Sequence, residues 1–261
     1  MKLAWQGREV EAREMGEGPP VVLLHGYPLD GAMWSGVARL MSERFRVIKP
    51  DLPGRGDNPG AVAPSLEAYA DFVAALLAQL PAPAGLAGFS MGGYVALALM
   101  RRRAPIGALA LVDTRATADD DAGKTARNDA IATVQSRGVA AIAEAMTPRL
   151  LSADGMKARD LADRVRRLIE RQTPETVAAD LEAMRDRPDS TDVLPSIRVP
   201  TLIVVGEADA LTPPAASEAM AAAIPGARLV RIPGAGHLTP MERPRAVAAT
   251  LTEFFGPALA V

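Results

Sequence analysis

Ser90, Asp209 and His237 stand in three short glycine-rich stretches, Gly88-Phe-Ser90-Met-Gly92, Gly206-Glu-Ala-Asp209 and Gly234-Ala-Gly-His237. A serine hydroxyl is a poor nucleophile near neutral pH. It needs a base within hydrogen-bond reach, and the base needs a third group to fix its tautomer and stabilise its cation. The 261-residue chain has two histidines, His25 and His237, and no cysteine. One of these two must therefore be any histidine base, while cysteine nucleophiles, disulfides and thiolate metal sites are excluded.

The local chain explains why Ser90 is the candidate nucleophile. An apolar run from Gly85 to Phe89 meets good helix formers from Tyr94 to Met100, so a strand turns sharply into a helix at Ser90. Side chains at 88 and 92 would collide in such a turn. The hydroxyl projects clear of the sheet, and the following helix directs free N–H groups and its positive dipole end toward it. This is a nucleophile beside an anion site.

The elements that must carry these residues follow from periodicity. Residues 2–6 and 8–15 read as an antiparallel hairpin turning near Gly7. A continuous apolar run at Pro20 to Leu24 and further segments at Arg46 to Lys49, Gly85 to Phe89, Ile106 to Val112 and Pro200 to Val205 read as buried strands, and Ala227 to Ile232 as another strand. Helices are expected at 34–44, 65–80 after Pro64, 214–223 and 243–255. The alternation predicts an α/β chain with a mostly parallel eight-stranded sheet and helices on both faces. Ser90, Asp209 and His237 each follow a strand end, so all three face one crevice at the C-terminal edge of the sheet.

Between Thr114 and Pro195 the pattern is helix after helix. Stripes occur at Val139/Ile142/Ala143/Met146, at Leu161/Val165/Leu168/Ile169 and at Val177/Leu181/Met184, and Thr173-Pro174 reads as a helix start. We expect residues 1–113 and 196–261 to form the core and 114–195 an all-helical cap. The cap carries Arg127, Arg137, Arg149, Arg159, Arg164, Arg166, Arg167 and Arg171. One of these turned inward would select a carboxylate-bearing substrate.

A net charge of −2 gives no reason to expect nucleic acid or an anionic membrane as a partner. No signal peptide or membrane-spanning run is evident, and the lack of cysteine suits a reducing compartment, so a cytoplasmic location is expected. No metal or organic cofactor is expected. Oligomeric state is not readable. The loop Asp51-Leu-Pro-Gly54-Arg-Gly56-Asp57 lacks the Lys-Ser/Thr of a phosphate loop, and Asp51 and Asp57 are assigned to organising its turn.

Taken with His25-Gly26-Tyr27-Pro28 and the Asp51 to Gly56 loop, the three glycine-rich stretches resemble the α/β-hydrolase-fold family over nearly the whole chain. The nearest flavour is that of capped bacterial carboxylesterases and 3-oxoadipate enol-lactonases. The resemblance implies Ser90 as nucleophile, His237 as base and Asp209 as acid. It implies an oxyanion hole from the backbone N–H groups of Tyr27 and Met91, and an oxyanion-loop role for His25. Asp113, which also follows a strand, is the rival acid; Asp209 is preferred because Asp-x-x-x-Pro with Thr212 nearby looks like the usual acid loop. His25, Met33, Trp34 and Leu238 are expected to line the substrate pocket, with Met91 beside them. The implied activity is hydrolysis of a small-molecule carboxylic ester through an acyl-enzyme, with the enol-lactone as the alternative substrate. C–C bond hydrolysis and perhydrolysis use the same three residues and stay open, as does a non-catalytic small-molecule receptor. Serine at position 90 argues against the branches that use aspartate there.

Overall fold

The computed structural model describes residues 1–5, 7–56, 58 and 65–260. Asp57 and Pro64, to which the sequence assigns a turn role and a helix start, lie outside the described residues.

The amino-terminal hairpin is β1 (Lys2–Trp5) and β2 (Arg8–Met15), paired antiparallel around Gly7. The other expected strands form β3 (Pro20–Leu24), β4 (Arg46–Pro50), β5 (Gly85–Phe89), β6 (Ala108–Val112), β7 (Thr201–Gly206) and β8 (Arg228–Ile232). They make one eight-stranded sheet in the order β1-β2-β4-β3-β5-β6-β7-β8, parallel from β4 to β8. Every residue of β3, β5, β6 and β7 is buried, as expected of strands covered on both faces. The edge strand β8 is only partly covered.

After β3 the chain steps outward to β4, then returns to lay β5 on the other side of β3. The strand order reverses between β3 and β5, and ligand sites of open α/β sheets form outside the strand ends at such a reversal. The loop starting at His25 and the turn at Ser90 leave the sheet there side by side, with Leu24 in register with Gly88.

The helices of the sheet region are α1 (Ser35–Met41), α2 (Leu66–Leu77) and α3 (Met91–Arg101). The expected helix at 34–44 is shorter because a 3-10 turn at Gly31–Trp34 precedes it, closed by the Asp30 side chain accepting from the Ala32 N–H at 2.9 Å. Ser65 caps α2 by accepting from the Ala68 N–H at 3.2 Å.

Between β6 and β7 lie α4 (Asp121–Arg137), α5 (Val139–Leu150), α6 (Ala153–Lys157), α7 (Arg159–Glu170) and α8 (Pro174–Arg185). Polar contacts fasten this segment to the sheet region. The Arg55 guanidinium pairs with Asp180 of α8, whose other oxygen accepts from the Tyr69 hydroxyl at 2.7 Å. Thr176 donates to the Gly54 carbonyl at 2.9 Å. Asp30 accepts from Arg171 and, at 3.0 Å, from Gln172. The remaining helices are α9 (Pro214–Ala223), α10 (Thr239–Glu242) and α11 (Pro244–Ala258); α11 is the expected last helix, and the short α10 forms in the stretch before it.

Candidate active site

At the end of β5 the chain reverses on Ser90, whose φ of 49° and ψ of −114° lie outside the regions an L-residue ordinarily occupies. Such a conformation costs on the order of 1–3 kcal/mol and persists only where its surroundings enforce it. Here the Ser90 N–H donates to the Val112 carbonyl at 2.9 Å, and the Ser90 carbonyl accepts from the Thr114 hydroxyl at 2.8 Å. The glycines make room for the turn. A Cβ at Gly88 would stand 2.4 Å from the Gly92 carbonyl oxygen, and one at Gly92 would stand 2.7 Å from the carbonyl oxygens of Leu24 and His25.

The three residues distant in sequence meet at this edge. His237 Nε2 is 3.0 Å from Ser90 Oγ, and His237 Nδ1 is 2.9 Å from Asp209 Oδ2. Asp209 is itself oriented: Oδ1 accepts from the N–H groups of Leu211 at 2.8 Å and Thr212 at 2.9 Å, and Oδ2 accepts from the Thr212 hydroxyl at 2.6 Å. Burial alone would raise the Asp209 pKa. The His237 charge and the hydrogen bonds from His237 and Thr212 outweigh it and hold the carboxyl below its ordinary value. An ionised acceptor on Nδ1 leaves Nε2 free to take a proton from Ser90.

Asp113 does not reach His237. Its backbone is also in a left-handed conformation, with φ of 45°, and turns the side chain to accept from the Gly206 N–H at 2.8 Å and from the Thr239 hydroxyl. Burial first, and the nearby Asp209 charge second, push its pKa well above the usual carboxylate value.

His25 is fully buried with both ring nitrogens engaged: Nε2 accepts from the Leu52 N–H at 3.0 Å and Nδ1 lies 3.3 Å from the Gly26 carbonyl. Burial, then the Arg55 charge, lowers its pKa. It ties the Asp51 loop to the loop after β3. Gly26 lets that second loop close on Ser90, since a Cβ there would be 2.9 Å from Ser90 Cβ. Tyr27 and Met91 therefore flank the serine. Neither backbone N–H takes part in the hydrogen bonds among the described residues.

A cavity of about 270 Å³ opens over Ser90, His237, Thr212 and Tyr27. Its apolar wall comes from Ile142, Met146 and Leu150 of α5, Leu181 and Met184 of α8, and Leu211. The pocket assignment of His25, Met33, Trp34 and Leu238 is corrected, and Met91 with them: all are buried and none is among the cavity's lining residues. The 3-10 turn rotates Met33 and Trp34 into the core, where Trp34 stacks edge-on against Phe89. Helical residues take the place these were expected to fill.

Several contributors have no motif. Thr212 also lies 3.2 Å from His237 Nδ1, and its place in the acid loop was the available signal. Glu242 of α10 is buried. It accepts from the Gly236 N–H at 2.7 Å through Oε1 and from the Ser152 N–H and hydroxyl through Oε2, while the Leu238 N–H donates to the Leu150 carbonyl at 2.8 Å. The backbone on either side of His237 is thus tied to the α5–α6 junction. Arg115, Asp119, Arg127 and Arg149 form the charged part of the cavity lining. Among the described residues no group of three or more His, Asp or Glu is arranged to hold a metal ion, and no helix is long and apolar enough to cross a membrane.

A reversed-order parallel sheet with a strained serine between β5 and α3, facing a histidine and an aspartate from later strand ends, defines a class of enzyme scaffold. The chain belongs to the alpha/beta hydrolase family, whose model matches residues 21–250. Pimeloyl-[acyl-carrier protein] methyl ester esterase of Aromatoleum aromaticum is 32% identical over 250 residues, spanning 90% of this chain and 97% of that protein. A thermophilic esterase from Thermogutta terrifontis, solved with malate bound, superposes with a TM-score of 0.93 at 40% identity, covering 100% of this chain and 99% of its own. The enol-lactonase from Burkholderia xenovorans LB400 gives a TM-score of 0.89 at 29% identity, covering 98% and 100%.

Proposed function

We propose that the protein hydrolyses a carboxylic ester of a small molecule through a covalent acyl-enzyme on Ser90. The observation that carries this reading is the unbroken relay from Ser90 Oγ to His237 Nε2 at 3.0 Å and from His237 Nδ1 to Asp209 Oδ2 at 2.9 Å, at the floor of a cavity. The esterases among its relatives support it.

In the first half-reaction Ser90 Oγ attacks the carbonyl carbon while its proton passes to His237 Nε2. The resulting imidazolium keeps its Nδ1–H on Asp209. The carbonyl oxygen becomes an oxyanion and takes the N–H groups of Tyr27 and Met91, each such donor being worth about 2.7–4 kcal/mol of transition-state stabilisation. As the tetrahedral centre collapses, the Nε2 proton moves to the departing alkoxide and alcohol leaves. Water then gives a proton to Nε2 and its oxygen to the acyl carbon; the Ser90 oxygen departs and recovers the proton. The acid is released.

Residues 114–195 act as a cap on this chemistry, shaping the acyl site and keeping bulk water from it. The volume is near the lower end of the about 300–1,000 Å³ usual for ligand pockets, which favours a compact substrate. A lactone is an internal ester and is opened by the same steps, the alcohol staying attached; the likeness to an enol-lactonase supports this second reading. The absence of cysteine accords with a cytoplasmic setting.

The test is turnover of p-nitrophenyl esters from acetate to octanoate, with 3-oxoadipate enol-lactone assayed beside them, by wild type and Ser90→Ala. Serine-dependent turnover is expected. A folded Ser90→Ala protein that keeps the wild-type rate overturns the reading.

A further inference from the structure

The charged lining of the cavity is unbalanced. Arg115, Arg127 and Arg149 all line it, and Asp119 is the one carboxylate among its lining residues. That carboxylate is heavily used. Its Oδ1 pairs with Arg115 and, at 3.0 Å, with Arg187, and its Oδ2 pairs with Arg127 at 3.0 Å. Burial raises the Asp119 pKa, but the surrounding guanidiniums outweigh it and hold the group below its ordinary value, so it is already ionised and engaged. The Arg115 Nε–H is buried and has no hydrogen-bond partner. Arg149, exposed and also on the lining, makes no hydrogen bond or ion pair among the described residues. The cavity thus carries cationic hydrogen-bond donors in excess of the acceptors the protein supplies.

These charges lie near the reacting end. Burial and the Asp180 carboxylate push the Tyr27 phenol upward, and the Arg127 and Arg149 charges act on it in the opposite sense. Both guanidiniums are within electrostatic reach of the loop beside Ser90. Arg127 is partly buried, whereas Arg149 is exposed and has no acceptor among the described residues; a guanidinium short of acceptors is matched best by a planar carboxylate taken in fork geometry.

Resting on the ester-hydrolase reading, we propose that the cavity is built for esters whose acyl part ends in a second, ionised carboxylate, with Arg149 and Arg127 as the residues that receive it. The substrate class is then the half-ester of a short dicarboxylic acid. The compact volume limits the spacing between the two carbonyl groups.

The test compares the monomethyl esters of succinic, glutaric and adipic acids with the dimethyl esters of the same acids, reading kcat/KM from acid release. Wild type is expected to favour at least one half-ester by about tenfold or more, the effect of one hydrogen bond to a charged group. Arg149→Gln should collapse that ratio, and Arg149→Glu should reverse it. Because Arg127 also holds Asp119, Arg149 gives the cleaner variant. In parallel, glutarate and inorganic phosphate are titrated into Ser90→Ala by calorimetry. Glutarate should bind, more tightly than phosphate, and lose affinity about tenfold on adding Arg149→Gln. A wild type that cleaves half-esters and diesters equally, or a ratio untouched by Arg149→Gln, sinks the carboxylate site while leaving the esterase reading intact. Equal binding of phosphate and glutarate also overturns the carboxylate assignment. If no ester is cleaved the esterase reading fails, and the glutarate titration still decides the anion site by itself.

Discussion

Asp209→Asn is the substitution for which the geometry dictates a mechanism of failure. In the wild type Oδ1 accepts two backbone N–H groups, from Leu211 at 2.8 Å and Thr212 at 2.9 Å, whereas Oδ2 faces His237 Nδ1 at 2.9 Å. An asparagine must leave its carbonyl oxygen with the two N–H donors, because an NH2 group there would meet donors head-on. Its NH2 then points at His237 Nδ1 and forces that nitrogen to accept. The ring proton moves to Nε2, which can no longer take a proton from Ser90. In a serine protease the equivalent exchange lowers kcat roughly 10⁴-fold, or about 5.4 kcal/mol at about 1.36 kcal/mol per factor of ten. We expect a loss of that order here. Asp113→Asn, at the end of the neighbouring strand β6, should leave kcat close to wild type, since its carbonyl can keep the Gly206 N–H and its NH2 can donate to the Thr239 hydroxyl. Both variants are assayed for kcat on one p-nitrophenyl ester, with circular dichroism to establish folding. An Asp209→Asn enzyme retaining more than about a tenth of wild-type kcat, or an Asp113→Asn enzyme that is the worse of the two, refutes the assignment of the acid.

Stability should respond to Asp113 in the opposite way from activity. Its raised pKa means the folded chain keeps a proton that the unfolded chain has lost, so stability falls as pH climbs from the ordinary carboxylate range to the raised value. Asp113→Asn removes that slope: its melting temperature should exceed wild type at about pH 8 and the gap should close by about pH 4. Gly92→Ala places a Cβ 2.7 Å from two carbonyl oxygens and should cost about 1–3 kcal/mol in urea unfolding together with most of the esterase rate. Glu242→Gln turns one acceptor into a donor facing either the Gly236 N–H or Ser152, at a cost of about 1–3 kcal/mol. Because those bonds set the backbone beside His237, kcat should fall more than KM rises, and Glu242→Ala should be no milder.

The positions of Ser90, Asp209 and His237 were legible because each depends on short-range sterics: a buried strand, then a glycine-rich turn that only one edge of the sheet can accommodate. The eight strands were legible for a related reason, since β3, β5, β6 and β7 are covered on both faces and read as unbroken apolar runs. The choice between Asp113 and Asp209 was harder, as both follow strands. It turns on the left-handed backbone at Asp113, which no residue type announces. Met33 and Trp34 misled because nearness in sequence to the loop after β3 suggested nearness to substrate, and a single capped turn rotates them into the core. The helical stripe Val139/Ile142/Ala143/Met146 marked an apolar face but not its division, in which Ile142 and Met146 reach the cavity. For the eight arginines expected on the cap, sequence could not say which turn inward; packing brings Arg127 and Arg149 to the cavity, and pairs Arg171 with Asp30.

The contacts that fasten the helices between β6 and β7 have a bearing on transplanting that segment between relatives. Its partners on the sheet side are scattered: Asp30, Gly54, Arg55, Tyr69 and Arg101 before it in the chain, and Leu238 and Glu242 after it. A graft cut cleanly at its two ends would strand the buried Arg55 charge without Asp180 and leave Glu242 without Ser152. The segment is therefore not a detachable cassette. A chimera that changes the helices must bring along recipient positions far from either splice, and one of them, Glu242, sits within a few residues of His237.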